Sequence, residues 1–353
     1  MKRRSRWIFP LALGLVVAGL GALGGLALSH GEATGCLSET PEQLQPSGRG
    51  IESVIASAVN PRKIYVTTRD RRFFMGVAGR RWQWWRVPTR SPGRLFASAG
   101  ERDLLFAASN ALYRSSDRGA SWDRLTCGLD VIDVSVSLDD ATTIYLATGQ
   151  DLTARKGGGL YRSVDGGETW DRFTDFPHAD ADQSSVEAVA LDPTAPDTVY
   201  IGREGGGIDY SNDGGNDWRF MPITQPGNGT YGPQITSLRF GPDQQTLWVG
   251  SRFRGVFSGG PDTGWTFRGL NGKFIDQVLP DVARAAFVYA VANNRAYRSS
   301  DSGRHWQRMH GLTGPLVGMT LQRHDGGLYA WGREALFSSH DHGQTWVRLP
   351  NIP

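Results

Sequence analysis

The chain is poor in the residues that build metal and redox centres. Of its 353 residues only two are cysteine and seven histidine, and nowhere do they cluster at zinc-ligand spacing. No metal and no cofactor is expected. A disulfide-dense scaffold is excluded as well, because Cys36 and Cys127 allow one bridge at most. Beyond residue 28 there is no long apolar run. A broad basic field is also missing. The formal charge is +3, but Lys2, Arg3, Arg4 and Arg6 stand at the N-terminus with no acid beside them, and the rest is close to neutral. That excludes nucleic-acid binding through global charge.

What is present begins with Trp7 to Leu28, an uncharged stretch after the basic cluster, the order of an export signal. As one hydrophobic helix it is long enough to span a bilayer at ~1.5 Å per residue. Two readings stay open for residues 1–30: a membrane anchor, on length, and a cleaved signal peptide, on its glycines and the small residues Ala27 and Ser29. Either places the remainder outside the cytoplasm, in a periplasm, a lumen or at the cell surface. Cys36 follows Ala33-Thr34-Gly35, loosely like a lipidation site, so it is lipidated, free or paired with Cys127. Residues 31–50 are polar and turn-rich and read as a linker.

From residue 51 the sequence repeats itself. Ser-Ser-Asp-Arg-Gly-Ala-Ser-Trp (115–122) recurs at 163–170, 211–218, 299–306 and 339–346, all as S-x-D-x-G-x-x-W. Weaker copies end at Trp82 and Trp265, so seven tryptophans fall 40, 48, 48, 47, 41 and 40 residues apart. Ser and Asp oxygens accept turn N–H bonds, Gly permits a positive φ, and Trp buries a large ring on leaving the turn. Four short apolar runs divide each unit, as in Val186–Leu191, Thr198–Ile201, Ile208–Tyr210 and Trp218–Phe220. A unit of this length and strand count predicts an all-β, seven-bladed β-propeller of four-stranded antiparallel blades. The blades are expected at about 51–87, 91–125, 131–173, 184–221, 234–270, 276–309 and 315–349, within one domain over 51–353.

The repeated segment resembles the Asp box, or bacterial neuraminidase repeat, over residues 51–349. The resemblance implies a place between the third and fourth strands of each blade. It implies structural roles for Asp117, Trp122, Asp165, Trp170, Asp213, Trp218, Trp265, Asp301, Trp306, Asp341 and Trp346. The turns between the second and third strands then belong to the opposite face. They carry Arg69, Arg71 and Arg72, Arg155 with Lys156, Arg203, Arg252, Arg254, Arg295 and Arg333. Guanidinium groups suit carboxylate or phosphate pairing, so this face is a candidate docking surface for an acidic partner. Pairing with local acids such as Asp70, Glu204 and Glu334 is the plainer role for the same arginines.

Seven such blades behind one export or anchor segment are most similar to the photosystem II stability and assembly factor propellers, and more distantly to sialidase and sortilin types. The nearer resemblance implies a monomeric, non-enzymatic scaffold that holds a membrane protein or complex through an arginine patch, without nucleic acid. The alternative is an extracellular glycoside hydrolase of sialidase-like type. That reading would use the arginines with Tyr231 and carboxylates among Asp180, Asp182, Glu204 and Glu334. Against it, Arg86-Val87-Pro88 is a poor substitute for the sialidase Arg-Ile-Pro segment, and the loops are short for a deep cleft. His340 and His342 flank Asp341 as turn residues, and the Trp82, Trp84, Trp85 cluster is expected to turn one side to the core. Ring closure is left between a strand added from Leu37–Leu44 and simple abutment of blades 1 and 7.

Overall fold

The computed structural model describes residues 50–350 apart from 58–59, 61, 78–79, 87–92, 98–104, 109, 152–155, 178–184, 224–231 and 323–325. The expected N-terminal helix, the linker up to residue 49 and Cys36 lie outside the described residues. Among the described residues no helix is long and apolar enough to cross a membrane. Cys127 is disulfide-bonded.

The apolar runs form seven sheets, each of four consecutive antiparallel strands. The seven first strands are Ile51–Ala56, Arg94–Ala97, Leu129–Val136, Val186–Leu191, Ile235–Phe240, Ile275–Pro280 and Leu316–Leu321. Each touches the first strand of the next sheet, or its neighbouring strand, and the last touches the first. The sheets therefore close a ring, with the first strands innermost. Second strands such as Val199–Arg203, Leu247–Ser251, Val288–Ala292 and Leu328–Gly332 are buried at every residue. They are covered on both faces by neighbouring sheets, which is why they read as continuous rather than alternating apolar runs.

The core is accordingly seven wedges, one between each pair of adjacent blades. The closing wedge packs Tyr329 and Trp331 of blade 7 on Ile51, Val54, Ile64, Val66 and Phe74 of blade 1. Ile51 N–H donates to the Arg333 carbonyl at 2.7 Å, and Trp331 Nε1 donates to the Glu52 carbonyl at 3.3 Å. Among the described residues blades 7 and 1 thus meet as separate sheets. Leu37–Leu44 lies outside the described residues.

The S-x-D-x-G-x-x-W segment forms the same turn in blades 2, 3, 4, 6 and 7. In blade 3 the Ser163 hydroxyl donates to Asp165 at 2.7 Å and accepts from Gly167 N–H at 2.7 Å, while Asp165 accepts from Thr169 N–H at 2.9 Å. Trp170 Nε1 then returns to the Gly167 carbonyl at 3.1 Å. The fourth and fifth positions are both left-handed: Arg118 and Gly119, Gly166 and Gly167, Gly214 and Gly215, Ser302 and Gly303, His342 and Gly343. The fifth must be glycine for a second reason, since a Cβ on Gly119 would fall 2.2 Å from Phe73 of the preceding blade. The aspartates are anchored acceptors held below the ordinary carboxylate range. The Ser121 hydroxyl and N–H bring Asp117 down to about 2, and the Asp217 N–H leads the lowering at Asp213.

Blades 1 and 5, which have only the weak copies, depart from this pattern. Their outer strands run for seven and six residues, Arg80–Arg86 and Gly264–Gly269, against two or three elsewhere. Without the polar turn, the third strand simply folds back as a longer hairpin.

Candidate functional site

The seven inner strands enclose a channel of about 720 Å³. In six blades the inner strand carries a register shift close to its start. The extra residue there, Glu52, Ile132, Glu187, Thr236, Asp276 or Val317, lines the channel. A bulge re-aims a side chain that regular pleating would have buried between blades. This places carboxylates near the entrance. Glu52 pairs with Arg69 at 3.2 Å. Burial raises Glu187, with the Glu204 charge adding to the rise and Arg252 and Arg94 opposing it. Burial likewise raises Asp276. Deeper in, Arg239 of blade 5 reaches Asp133 of blade 3 at 3.1 Å. Val189 N–H of the intervening blade donates to the same carboxylate at 3.3 Å.

The turns between second and third strands surround this entrance, because antiparallel order returns them to the end where the inner strand begins. Backbone bonds join several of them to neighbouring blades. Gly207 N–H donates to the Pro233 carbonyl at 3.0 Å and Phe253 N–H to the Lys273 carbonyl at 3.1 Å. Leu316 N–H donates to the Asn294 carbonyl at 3.0 Å, which joins blade 6 to blade 7.

The expected arginines fall into distinct groups on this scaffold. Arg252, Arg295 and Arg333 are exposed and, among the described residues, take part in no ion pair. Arg252 also lies 5.0 Å from the centre of the Phe274 ring. Arg254 is half-buried beside them. Arg69 is neutralised by Glu52, and Arg72 by Asp70 at 2.6 Å while stacking near Phe74 and Trp84. Arg203 corrects the expectation. Its side chain is 2% exposed, sits 2.5 Å from the fully buried Asp209, and donates to the Pro177 carbonyl at 3.0 Å. It joins strands inside blade 4 and presents nothing to a partner. Arg155 lies outside the described residues.

The remaining candidates separate similarly. Glu204 and Glu334 are exposed in the turns of blades 4 and 7, while Asp180, Asp182 and Tyr231 lie outside the described residues. His342 stacks on Phe287 of blade 6, with ring centres 4.7 Å apart, and its Nε2 meets Arg284. It is a contact between blades. Among the described residues no group of His, Cys, Asp or Glu could hold a metal ion. Trp82 packs edge-on against Phe74, whereas Trp84 is 54% exposed. Two features escaped sequence reasoning: the bulged channel carboxylates and the exposed Phe253. A lone acid second in an apolar run, as in Val186-Glu187-Ala188, and an aromatic inside a turn were the available signals.

Seven four-stranded antiparallel sheets around an axial channel define a β-propeller. Solved structures share that fold. A GH74 xyloglucanase from Xanthomonas campestris aligns over 85% of this chain with a TM-score of 0.62 and 16% identity. YCF48, solved bound to a D1 peptide, aligns over 82% of this chain and 90% of its own, with a TM-score of 0.57 and 13% identity. The extracellular domain of the one component system BT4673 from B. thetaiotaomicron aligns over 81% of this chain, with a TM-score of 0.61 and 12% identity. The chain spans about half the length of the xyloglucanase, 53%, and 38% of the BT4673 domain. At such identities the likeness is one of fold. No family model and no curated protein sequence matches the chain.

Proposed function

We propose that this propeller is a non-catalytic binding module outside the cytoplasm. It docks an acidic segment of a membrane protein or complex on the face that carries its second-to-third-strand turns, as an assembly or stability factor would. Residues 1–30 export or anchor it, residues 31–50 tether it, and the repeated turns are Asp boxes that serve the fold. One observation carries the reading: Arg252, Arg295 and Arg333 stand exposed on this face without an ion pair among the described residues. An unpaired surface guanidinium keeps its donors for an incoming carboxylate. A peptide-bound relative in fold, YCF48, supports protein docking by such a ring.

The test compares the whole chain with the triple variant Arg252→Glu, Arg295→Glu, Arg333→Glu in crosslinked native membranes. Expected is at least a tenfold loss of the crosslinked partner. Wild-type capture should also weaken as salt rises from about 0.05 to about 0.5 M. Capture that survives reversal removes the docking face, and turnover of a fluorogenic glycoside panel would put the hydrolase in its place.

A further inference from the structure

The turn Arg252-Phe253-Arg254 of blade 5 holds an aromatic residue where the fold does not want one. Phe253 is left-handed, with φ of 64°, a conformation strained for a bulky side chain. Blades 1, 4 and 6 fill the left-handed sites of the matching turns with Arg71, Gly206 and Gly207, and Asn293 and Asn294. Burial does not offset the strain, since Phe253 is 56% exposed.

The backbone fixes this conformation. Phe253 N–H donates to the Lys273 carbonyl at 3.1 Å, and its own carbonyl accepts from Gly272 N–H at 2.9 Å. Gly255 closes the turn at φ 83°, where a Cβ would lie 2.2 Å from the Gly269 carbonyl oxygen. The turn is therefore pinned, and the ring is held outward. Its edge meets Phe274 with centres 6.0 Å apart, and Arg252 lies over the same Phe274 ring. Arg252 and Phe274 both line the channel entrance.

An exposed aromatic braced by a second ring and flanked by guanidinium groups has the make-up of a binding hot spot. The geometry points to Phe253 as the anchor for an apolar side chain of the docked segment, with Arg252 taking the carboxylate next to it. The partner is thus an acidic protein segment in which an apolar residue adjoins Asp or Glu. Charge argues for the acid: Arg252 and Arg254 flank Phe253 in the turn, the Arg252 guanidinium lies over the Phe274 ring that Phe253 meets, and Glu187 in the channel feels the Arg252 charge. This inference rests on the docking reading above.

Three fluorescein-labelled decapeptides test it on the whole chain by fluorescence anisotropy. One is Glu-Ser alternating with a central Leu, the second has Ala for Leu, and the third has Gln for every Glu. Wild type is expected to prefer the Leu peptide over the Ala peptide about tenfold, and to bind the Gln peptide weakest. The Phe253→Gly variant should lose the Leu preference and melt ~1–2 °C higher, because glycine relieves the strained backbone. Equal affinity of wild type for the Leu and Ala peptides would overturn the anchor. So would a Phe253→Gly variant that keeps the preference or melts lower, which would mark a structural ring. If the arginine reversal still abolishes binding in those cases, docking stands without the anchor. If neither acidic peptide binds wild type, both readings fall.

Discussion

Alanine at each glycine of the repeated turn converts the spacing between blades into a stability series. All five positions share one cost. Gly119, Gly167, Gly215, Gly303 and Gly343 have φ between 77° and 102°, and forcing an L-residue there costs about 1–2 kcal/mol. The second cost differs by site. At Gly119 the new methyl would lie 2.2 Å from a ring carbon of Phe73, which is fully buried and cannot move aside. Overpacking of that kind adds roughly 1–3 kcal/mol. At Gly167 and Gly343 the clash is 2.8 Å against the ends of Leu125 and Met309, which can turn away. At Gly303 and Gly215 the nearest approaches are 3.1 and 3.2 Å, close to tolerable. The expected losses are ~2–5 kcal/mol for Gly119→Ala, the largest of the series, ~2–3 for Gly167→Ala and Gly343→Ala, and ~1–2 for Gly215→Ala and Gly303→Ala. Urea denaturation at constant slope reads them directly, and Phe73→Leu should recover part of the Gly119→Ala loss. Five equal losses, or a Gly119 variant no worse than the Gly215 variant, would refute the idea that these glycines set how closely blades approach.

The buried Arg203–Asp209 pair makes a second expectation. Asp209→Ala strands a buried guanidinium and should cost about 3–5 kcal/mol, while the joint replacement Arg203→Met with Asp209→Leu should recover most of it; equal melting of single and double variants would refute this. A third concerns acid. The turn aspartates 117, 165, 213, 301 and 341 all have folded-state pKa values below 3.8. Folding therefore disfavours their protonation, so the stability they contribute is complete above about pH 4 and is lost as pH falls toward 2. Melting temperature followed from pH 6 to pH 2 should drop in that window and drop less in Asp165→Asn, and a flat profile would refute the assignment.

Much of the architecture was legible because each residue of the repeated turn acts locally. Ser163, Asp165 and Gly167 bond within five residues of one another, so spacing alone carries the geometry. The left-handed fourth position was not legible, because Arg118, Ser302 and His342 advertise no such conformation. The candidate site was legible only as a set of arginines in turns. Their differing fates depend on partners that the repeat does not encode. Arg203 is consumed by an acid six residues away across a hairpin, and the sole hint was Asp209 standing alone in the apolar strand Ile208–Ser211. The channel carboxylates were hidden by bulges, which shift a residue from the pleat without altering the alternation that a sequence displays.

The division of labour between the two faces follows from the same turns. Third-strand arginines reach forward to the left-handed carbonyl of the next blade: Arg114 to Gly166 at 2.7 Å, Arg162 to Gly214 at 2.6 Å and Arg298 to His342 at 3.2 Å. On that face these guanidinium groups hold blade to blade, while the turn carboxylates accept bonds within their own turns. The opposite face is joined mainly by backbone bonds, as between Gly207 and Pro233 or Ile51 and Arg333, so side chains such as Arg252, Phe253, Arg295 and Arg333 are free to differ from blade to blade. Blade 5 lies at the meeting of both effects. It has lost the polar turn, so that Ser258 accepts from Arg268 rather than from a turn N–H, and it carries the strained aromatic at the channel entrance. Departure from the repeat is where a ring of similar units becomes specific, and in this chain the lost polar turn, the exposed Phe253 and Arg252, one of the three unpaired arginines, coincide at that blade.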